Sequence, residues 1–484
     1  MTTMPTTSLE LHRLRIGGES VDACDGSMFA VIDPATGEPI ADVANATVAD
    51  ALVAVDAAEQ AADGWAHEAP RERAEILRRA FELMSERSEQ VAELIVKENG
   101  KPLADARAEV AYAAEFFRWY SEEAVRNRGT VMTAPSGNNR IVVLHQPVGI
   151  AVLVTPWNSP AATATRKIAP ALAAGCTTIL KPASDTPLTA LLIADLLAKA
   201  GVPPGVVNVL PSRRSRAVVA AITRDPRVRK LSFTGSTEVG RNLLALAAET
   251  VVSTSMELGG NAPFIVMADA DLDAAVEGAL LAKMHNAGQA CTAANRFYVH
   301  ARVVWEFADR LAGAMEALRI GPGLEPGVQV GPLINEAACT KIDGLLGDAV
   351  ARDAQILTGG ERMPGPGFFY EPTVLADLDP DAAILCEEIF GPVAPIVTFD
   401  TVEQVIELAN NSDYGLASFI YTRDLSAGLA LGEALDAGMI GLNRGIVSDP
   451  AAPFGGVKQS GIGREGGPEG LLDYTESKYF AIGS

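Results

Sequence analysis

The chain has 484 residues, 48% of them hydrophobic, and a formal net charge of −22 at pH 7. That length amounts to roughly three domains' worth of chain, with ample apolar content for large buried cores. The acidic balance disfavours a nucleic-acid partner, because a protein that binds a phosphate backbone needs a basic footprint to displace counterions.

The opening run Met1-Thr2-Thr3-Met4-Pro5-Thr6-Thr7-Ser8 has no basic segment followed by an apolar one, so no secretory signal is expected. Residues 140–145 read as an extended segment bounded by Ser136-Gly137-Asn138-Asn139. From about 148 to 240, strand-like and helix-like patterns alternate, as in right-handed βαβ units on a parallel sheet. Strands are predicted at 148–154, 177–180, 206–210 and 229–233. Helices are predicted at 168–174, at 188–200 with Gly201 and two prolines as the stop, and from near Thr237. The run 148–154 is far shorter than the roughly 20 residues of a spanning helix, and Arg166 and Lys167 interrupt the Ala-rich segment after it, so no membrane partner is expected. A second alternating region runs from Glu257 to about 440. Its first helix carries Leu272, Val276, Leu280 and Met284 on one apolar stripe, behind Asp269 and Asp271 as candidate caps. Residues 364–367 and 455–467 are Gly- and Pro-enriched loops, and 478–482 close the chain as another extended segment whose edge invites pairing.

Cys24, Cys176, Cys291, Cys339 and Cys386 are widely spread, which suits free thiols in a reducing, cytoplasmic compartment. His12, His67, His145, His285 and His300 are equally scattered, so no metal site is expected. Cys291 follows a Gly-containing break, Asn286-Ala287-Gly288-Gln289-Ala290, after an amphipathic helix and before a strand; it is either a nucleophile or an ordinary core cysteine. Glu257 ends an apolar strand at Leu258-Gly259-Gly260, where two glycines permit a sharp turn, and is either a base lifted into a cleft or a solvated strand-end carboxylate. Asn158 lies beyond the carboxyl end of strand 148–154, where parallel strands present ligand contacts; the alternative is a turn cap before Pro160. Residues 235–240 lack the glycine spacing of a dinucleotide fingerprint, yet their strand-to-helix placement offers backbone N–H groups, with Ser236, to a pyrophosphate.

Taken in chain order, Thr155-Pro156-Trp157-Asn158-Ser159-Pro160, Lys181-Pro182-Ala183-Ser184, Phe233-Thr234-Gly235-Ser236-Thr237-Glu238-Val239-Gly240, Met256-Glu257-Leu258-Gly259-Gly260, the Cys291 stretch and Glu387-Glu388-Ile389-Phe390-Gly391-Pro392 resemble the NAD(P)-dependent aldehyde dehydrogenase superfamily. The resemblance covers nearly the whole chain. It implies an α/β fold with a Rossmann-type cofactor domain at 1–127 and 148–255 and an α/β catalytic domain at 256–440. A small β oligomerisation arm at 128–147 and 468–484 and a return segment at 441–467 complete it, in a homodimer or homotetramer. Cys291 is implied as nucleophile, Glu257 as general base and Asn158 as oxyanion donor with the Cys291 N–H. Thr155, Pro156, Trp157, Lys181, Ser184, Gly235, Ser236, Glu257, Leu258, Gly259, Glu388 and Phe390 are implied around the cofactor, Lys181 also counting among the catalytic residues. Ser184 stands where many NAD-preferring relatives place Glu, and Arg213, Arg214 and Arg216 in the next connection either pair with the extra phosphate or form an exposed basic loop; NADP is favoured with NAD possible.

Thr165-Arg166-Lys167, Met256-Glu257-Leu258-Gly259-Gly260-Asn261-Ala262-Pro263-Phe264 and Pro453-Phe454-Gly455-Gly456-Val457-Lys458-Gln459-Ser460-Gly461 resemble the succinate-semialdehyde dehydrogenase branch. In that branch two arginines and a serine hold the substrate's distal carboxylate. Arg166 and Ser448 match, but His285 occupies the place of the second arginine, and Arg444 is a candidate substitute. Succinate semialdehyde is therefore the leading aldehyde, with other aliphatic, aromatic or longer semialdehyde substrates open. Ala293 stands where the branch has a second thiol, so no local disulfide switch is expected. A CoA-acylating enzyme and a non-catalytic relative are the other readings, disfavoured by the presence of both Glu257 and Cys291.

Overall fold

The computed structural model describes residues 12–483; the opening run 1–8 and the final residue of the arm segment lie outside the described residues. Strands Ile150–Val154 and Thr177–Lys181 are buried at every position, as continuous apolar runs require when a sheet is covered on both faces. They sit inside an eight-stranded sheet ordered Glu19–Val21, Leu14–Ile16, Val207–Val209, Thr177–Lys181, Ile150–Val154, Val228–Thr234, Ser253–Glu257 and Gly461–Ile462. The five central strands are parallel and the flanking ones antiparallel. The strand predicted from 148 begins at Ile150, because Gly149 turns the chain with φ +124°.

The helix predicted at 168–174 spans Pro160–Ala174, with Pro at its start and all fifteen residues buried. Arg166 and Lys167 do not interrupt it. Their charges are met by Glu465, whose carboxylate lies 2.5 Å from Lys167 Nζ and 3.8 Å from Arg166 Nη1.

From Glu257 the chain crosses into a second sheet of seven strands, ordered Gln355–Thr358, Thr373–Ala376, Val393–Phe399, Ala294–His300, Ala262–Val266, Ala417–Tyr421 and Met439–Leu442. Helix Leu272–Met284 packs its apolar stripe into that sheet's core, and Asp271 caps it by accepting the Ala274 N–H. Asp269 instead receives the Arg423 and Asp424 N–H groups at the end of strand Ala417–Tyr421. A third, three-stranded sheet pairs Thr475–Gly483 with Asn139–Pro147 along their full lengths, and Thr130–Thr133 lies on the other edge. Among the described residues no helix is long and apolar enough to cross a membrane, and no group of three His, Cys, Asp or Glu could hold a metal ion.

Candidate active site

A cavity of about 850 Å³ opens between the two larger sheets, and Cys291 lies on its wall. The position of Cys291 is set by the loop ahead of it, where Asn286, Ala287 and Gly288 are all left-handed, with φ of +51°, +54° and +77°. Such backbone persists in non-glycine residues only when its surroundings over-determine it, at a cost of about 1–3 kcal/mol each. Here they do. Asp105 accepts the Asn286 N–H at 2.8 Å, Asn286 Nδ2 donates to the Asn158 carbonyl at 3.0 Å, and the Gln289 amide binds Asn286, Pro332 and Ile334. A side chain at Gly288 would meet the Gly391 carbonyl at 2.1 Å, so only glycine fits.

Asn158 is buried, and its Nδ2 donates to the Gln289 carbonyl at 3.0 Å, in the loop ahead of Cys291. Its own carbonyl is gripped by Lys101 Nζ at 2.8 Å, a buried ammonium paired with Glu109. Glu257 is 3% exposed and its Oε2 has no hydrogen bond. Burial, reinforced by the Glu465 charge, pushes its carboxyl well above the usual range, against the pull of Lys167, Arg166 and Arg464. Burial likewise pushes the Cys291 thiol up to about 12; Arg166 works against this, while Glu388 and Glu257 add to it. Glu257 does not line the cavity itself, but strand Gly461–Ile462 pairs with Met256 and Glu257 and seats the return segment beside it.

The two glycines after Glu257 are needed for close approach rather than for a turn, since neither has a positive φ. A Cβ on Gly260 would stand 2.2 Å from the Cys291 carbonyl, and one on Gly259 would stand 2.9 Å from Glu388 Oε2. Glu388 accepts the Gly260 N–H at 3.0 Å, and Phe390 meets Trp157 edge-on with ring centroids 5.4 Å apart. Behind them Lys283 is fully buried and bonded to Asn295 Oδ1 at 3.0 Å; burial lowers it to about 7.

Three helices follow strands of the first sheet near the cavity, and the first N–H groups of two are taken by carboxylates from other helices. Glu109 accepts the Ala161 and Ala162 N–H groups, and Glu98 those of Leu188 and Thr189. The third, Thr237–Ala248, has Gly235 and Ser236 on the cavity wall, and the Ser236 hydroxyl caps it by accepting the Val239 N–H. Gly240 serves packing, because a Cβ there would strike Leu258 at 2.4 Å. Pro156, Leu258 and Gly259 also line the cavity, whereas Thr155, Lys181 and Ser184 stand at the neighbouring strand ends without lining it. Lys181 is 4% exposed and its ammonium has no hydrogen-bond partner among the described residues; burial lowers it to about 8. A buried ammonium without a hydrogen bond, offset only by the charge of Asp185, fits a phosphate- or hydroxyl-bearing group. Of the arginines expected nearby, Arg214 is turned away onto Asp25 at 2.7 Å, and Arg213 binds the Ala30 carbonyl and stacks over Phe29.

Arg166, His285 and Ser448 all line the cavity. The Arg166 guanidinium is boxed by Phe454, Phe116 and Tyr112 at 4.1, 5.4 and 5.6 Å, donates to the Tyr112 hydroxyl, and leaves its Nε without a partner. Tyr112 in turn bonds Ser448. Arg444 is exposed, bonds the Ile446 carbonyl and does not line the cavity, so it does not replace the missing cation. Lys101, Asp105, Glu109, Lys283 and Glu465 were not read from the sequence as site residues. A lysine within an otherwise apolar helical run, as at Lys283, is the signal that marks a buried charge in need of a partner.

A model of the aldehyde dehydrogenase family matches residues 21–480. The chain belongs to that family. This aldehyde dehydrogenase is 56% identical to a succinate-semialdehyde dehydrogenase of Paenarthrobacter nicotinovorans, over 92% of this chain and 98% of the relative. It is 47% identical to an NADP(+) succinate-semialdehyde dehydrogenase of Escherichia coli (strain K12), over 97% of each. It also superposes on the crystal structure of a succinate-semialdehyde dehydrogenase from Burkholderia pseudomallei with a TM-score of 0.98, at 48% identity and full coverage of both chains. Membership makes the chain an oxidoreductase that acts on aldehydes.

Proposed function

We propose that this aldehyde dehydrogenase oxidises an aldehyde bearing a distal carboxylate, succinate semialdehyde to succinate in the first instance, with NADP favoured and NAD accepted. The observation that carries this reading is a single cavity holding both Cys291 and the boxed Arg166, whose Nε is unpartnered. The succinate-semialdehyde relatives support the same assignment.

The chemistry starts at a thiol that burial keeps protonated, so Cys291 needs a base as it attacks the carbonyl carbon. That proton passes to water in the cavity as the C–S bond forms, so Glu257 stays free for the later step. The developing oxyanion is met by Asn158 Nδ2 and the Cys291 N–H, donors fixed in advance by the loop bonds described above. The cofactor, when bound, accepts the hydride. Glu257 then activates the water that hydrolyses the thioester, and Arg166 and Ser448 hold the substrate's carboxylate throughout. Lys181, Ser184 and Thr155 would hold the adenosine side of the cofactor and Gly235 and Ser236 its pyrophosphate. Pro156, Trp157, Leu258, Gly259, Glu388 and Phe390 would hold the nicotinamide side. Ser184 supports NADP because it removes the carboxylate that would repel a 2′-phosphate. The exposed Val131, Met132, Leu144, Tyr479, Phe480 and Ile482 of the three-stranded sheet support a homodimer or homotetramer, which light scattering in solution checks. The five free cysteines support a reducing, cytoplasmic setting.

The test is the initial rate of cofactor reduction at 340 nm, crossing succinate semialdehyde, glutarate semialdehyde, hexanal and benzaldehyde with NAD and NADP. A kcat/KM for succinate semialdehyde about tenfold above the uncharged aldehydes is expected, about 1.4 kcal/mol of transition-state discrimination. Preference for hexanal or benzaldehyde overturns the assignment.

A further inference from the structure

Lys283 is a buried charge that the chemistry above leaves unused. Ala282 and Met284, its neighbours on helix Leu272–Met284, line the cavity, whereas Lys283 does not. Its side chain is 1% exposed, and its ammonium donates to a neutral amide, Asn295 Oδ1, at 3.0 Å. Taking an ammonium out of water is costly unless an opposite charge answers it. The charge that acts on Lys283 is that of Glu388.

A run of hydrogen bonds joins the two. Asn295 Nδ2 donates to the Gly260 carbonyl at 3.5 Å, and the Gly260 N–H donates to Glu388 Oε1 at 3.0 Å. All three donors face the same way, from the lysine toward the carboxylate, so the dipoles reinforce one another. Other groups also face Glu388. Lys341 of helix Glu336–Ala351 donates to its carbonyl at 2.5 Å, and the Tyr414 hydroxyl and the Cys291 thiol both feel its charge. Burial pushes Glu388 up to about 7 and Lys283 down to about 7, while each charge opposes the shift of the other. The lysine is therefore charged over the range in which the carboxyl would otherwise take a proton. A carboxylate offers both oxygens to sugar hydroxyls; once protonated, it turns one of them into a donor.

We propose that Lys283 is a positioning residue for the cofactor: through the Asn295 amide and Gly260 it holds Glu388 as a carboxylate for the sugar hydroxyls on the nicotinamide side. This rests on the assignment of Glu388 to the cofactor given above.

The dissociation constant of NADPH, read from its fluorescence between about pH 5.5 and 9, tests this in the native enzyme, Lys283→Met, Glu388→Gln and the double variant. Titration of Lys181 and of the cofactor phosphate is common to all four and cancels in the ratios. Lys283→Met is expected to weaken binding about three- to tenfold near pH 6 and to leave it unchanged above about pH 8.5, where the lysine has lost its proton. In the Glu388→Gln background the same change is expected to do nothing further. Lys283→Gln keeps a donor for Asn295 without the charge, and it replaces Lys283→Met if that variant does not fold. No loss, a loss of equal size at every pH, or a loss that persists in the Glu388→Gln background overturns the proposal. Native affinity at every pH in Glu388→Gln alone instead removes the assignment of Glu388 to the cofactor, and the proposal with it.

Discussion

Two buried clusters of lysine and carboxylate border the cavity, and they differ in how completely they are satisfied. In the first, Lys101 binds Glu109 at 2.5 Å and the Asn158 carbonyl at 2.8 Å, while the other Glu109 oxygen takes two helix N–H groups. In the second, Lys167 binds Glu465 and Ser232, yet Glu465 Oε2, Glu257 Oε2 and Arg166 Nε are left without hydrogen bonds. A closed cluster fixes atoms in place. An open one keeps polar atoms available for water and substrate, at the cost of leaving them desolvated. The same helix, Pro160–Ala174, touches both: Glu109 caps its start and its Arg166 and Lys167 enter the open cluster.

That contrast breaks most sharply at the open end. Cys291→Ala is expected to abolish reduced-cofactor formation from aldehyde, and unchanged turnover would remove the thiol from the chemistry. Glu257→Gln should leave a burst of reduced cofactor and slow the steady state by about 10²–10⁴-fold, seen in a stopped-flow trace. Asn158→Ala, at the junction of the two clusters, should cost about 10²–10³ in kcat. At the closed end the damage should appear in stability. Lys101→Met strands Glu109 and should destabilise by about 3–5 kcal/mol, read as a lower unfolding midpoint, with part of the loss restored in Lys101→Met/Glu109→Gln. The smallest effect is the pH dependence of Glu388, which burial raises from 4.5 to about 7. The native state then holds a proton that the unfolded state releases, so this group's stability contribution is present below pH 4.5 and is lost as pH rises toward about 7. Glu388→Gln should flatten that slope in pH-resolved melting curves.

The legible parts of the sequence were those with a local signal. The strands at Ile150–Val154 and Thr177–Lys181 are continuous apolar runs, and the Cys291, Glu257 and Asn158 stretches sit where a strand meets a turn. Helix Pro160–Ala174 was read too short because a helix buried on every side has no polar face to mark its period. Glu465 and Asp105 were missed for a different reason: each acts on residues far away in the chain, Lys167 and Asn286, and no spacing rule connects them. Arg214, open in the sequence between a phosphate partner and an exposed basic loop, is paired with Asp25, a partner that only the packed N-terminal segment reveals.

At Gly288 the loop ahead of Cys291 and the turn bearing Glu388 and Phe390 touch backbone to backbone, with no side chain between them to compress. The two therefore have no slack. Any displacement of one is transmitted to the other, so the Cys291 thiol and the turn bearing Glu388 and Phe390 behave as a single machined part. Even one added methyl group at this contact would be felt on both faces of the reaction at once.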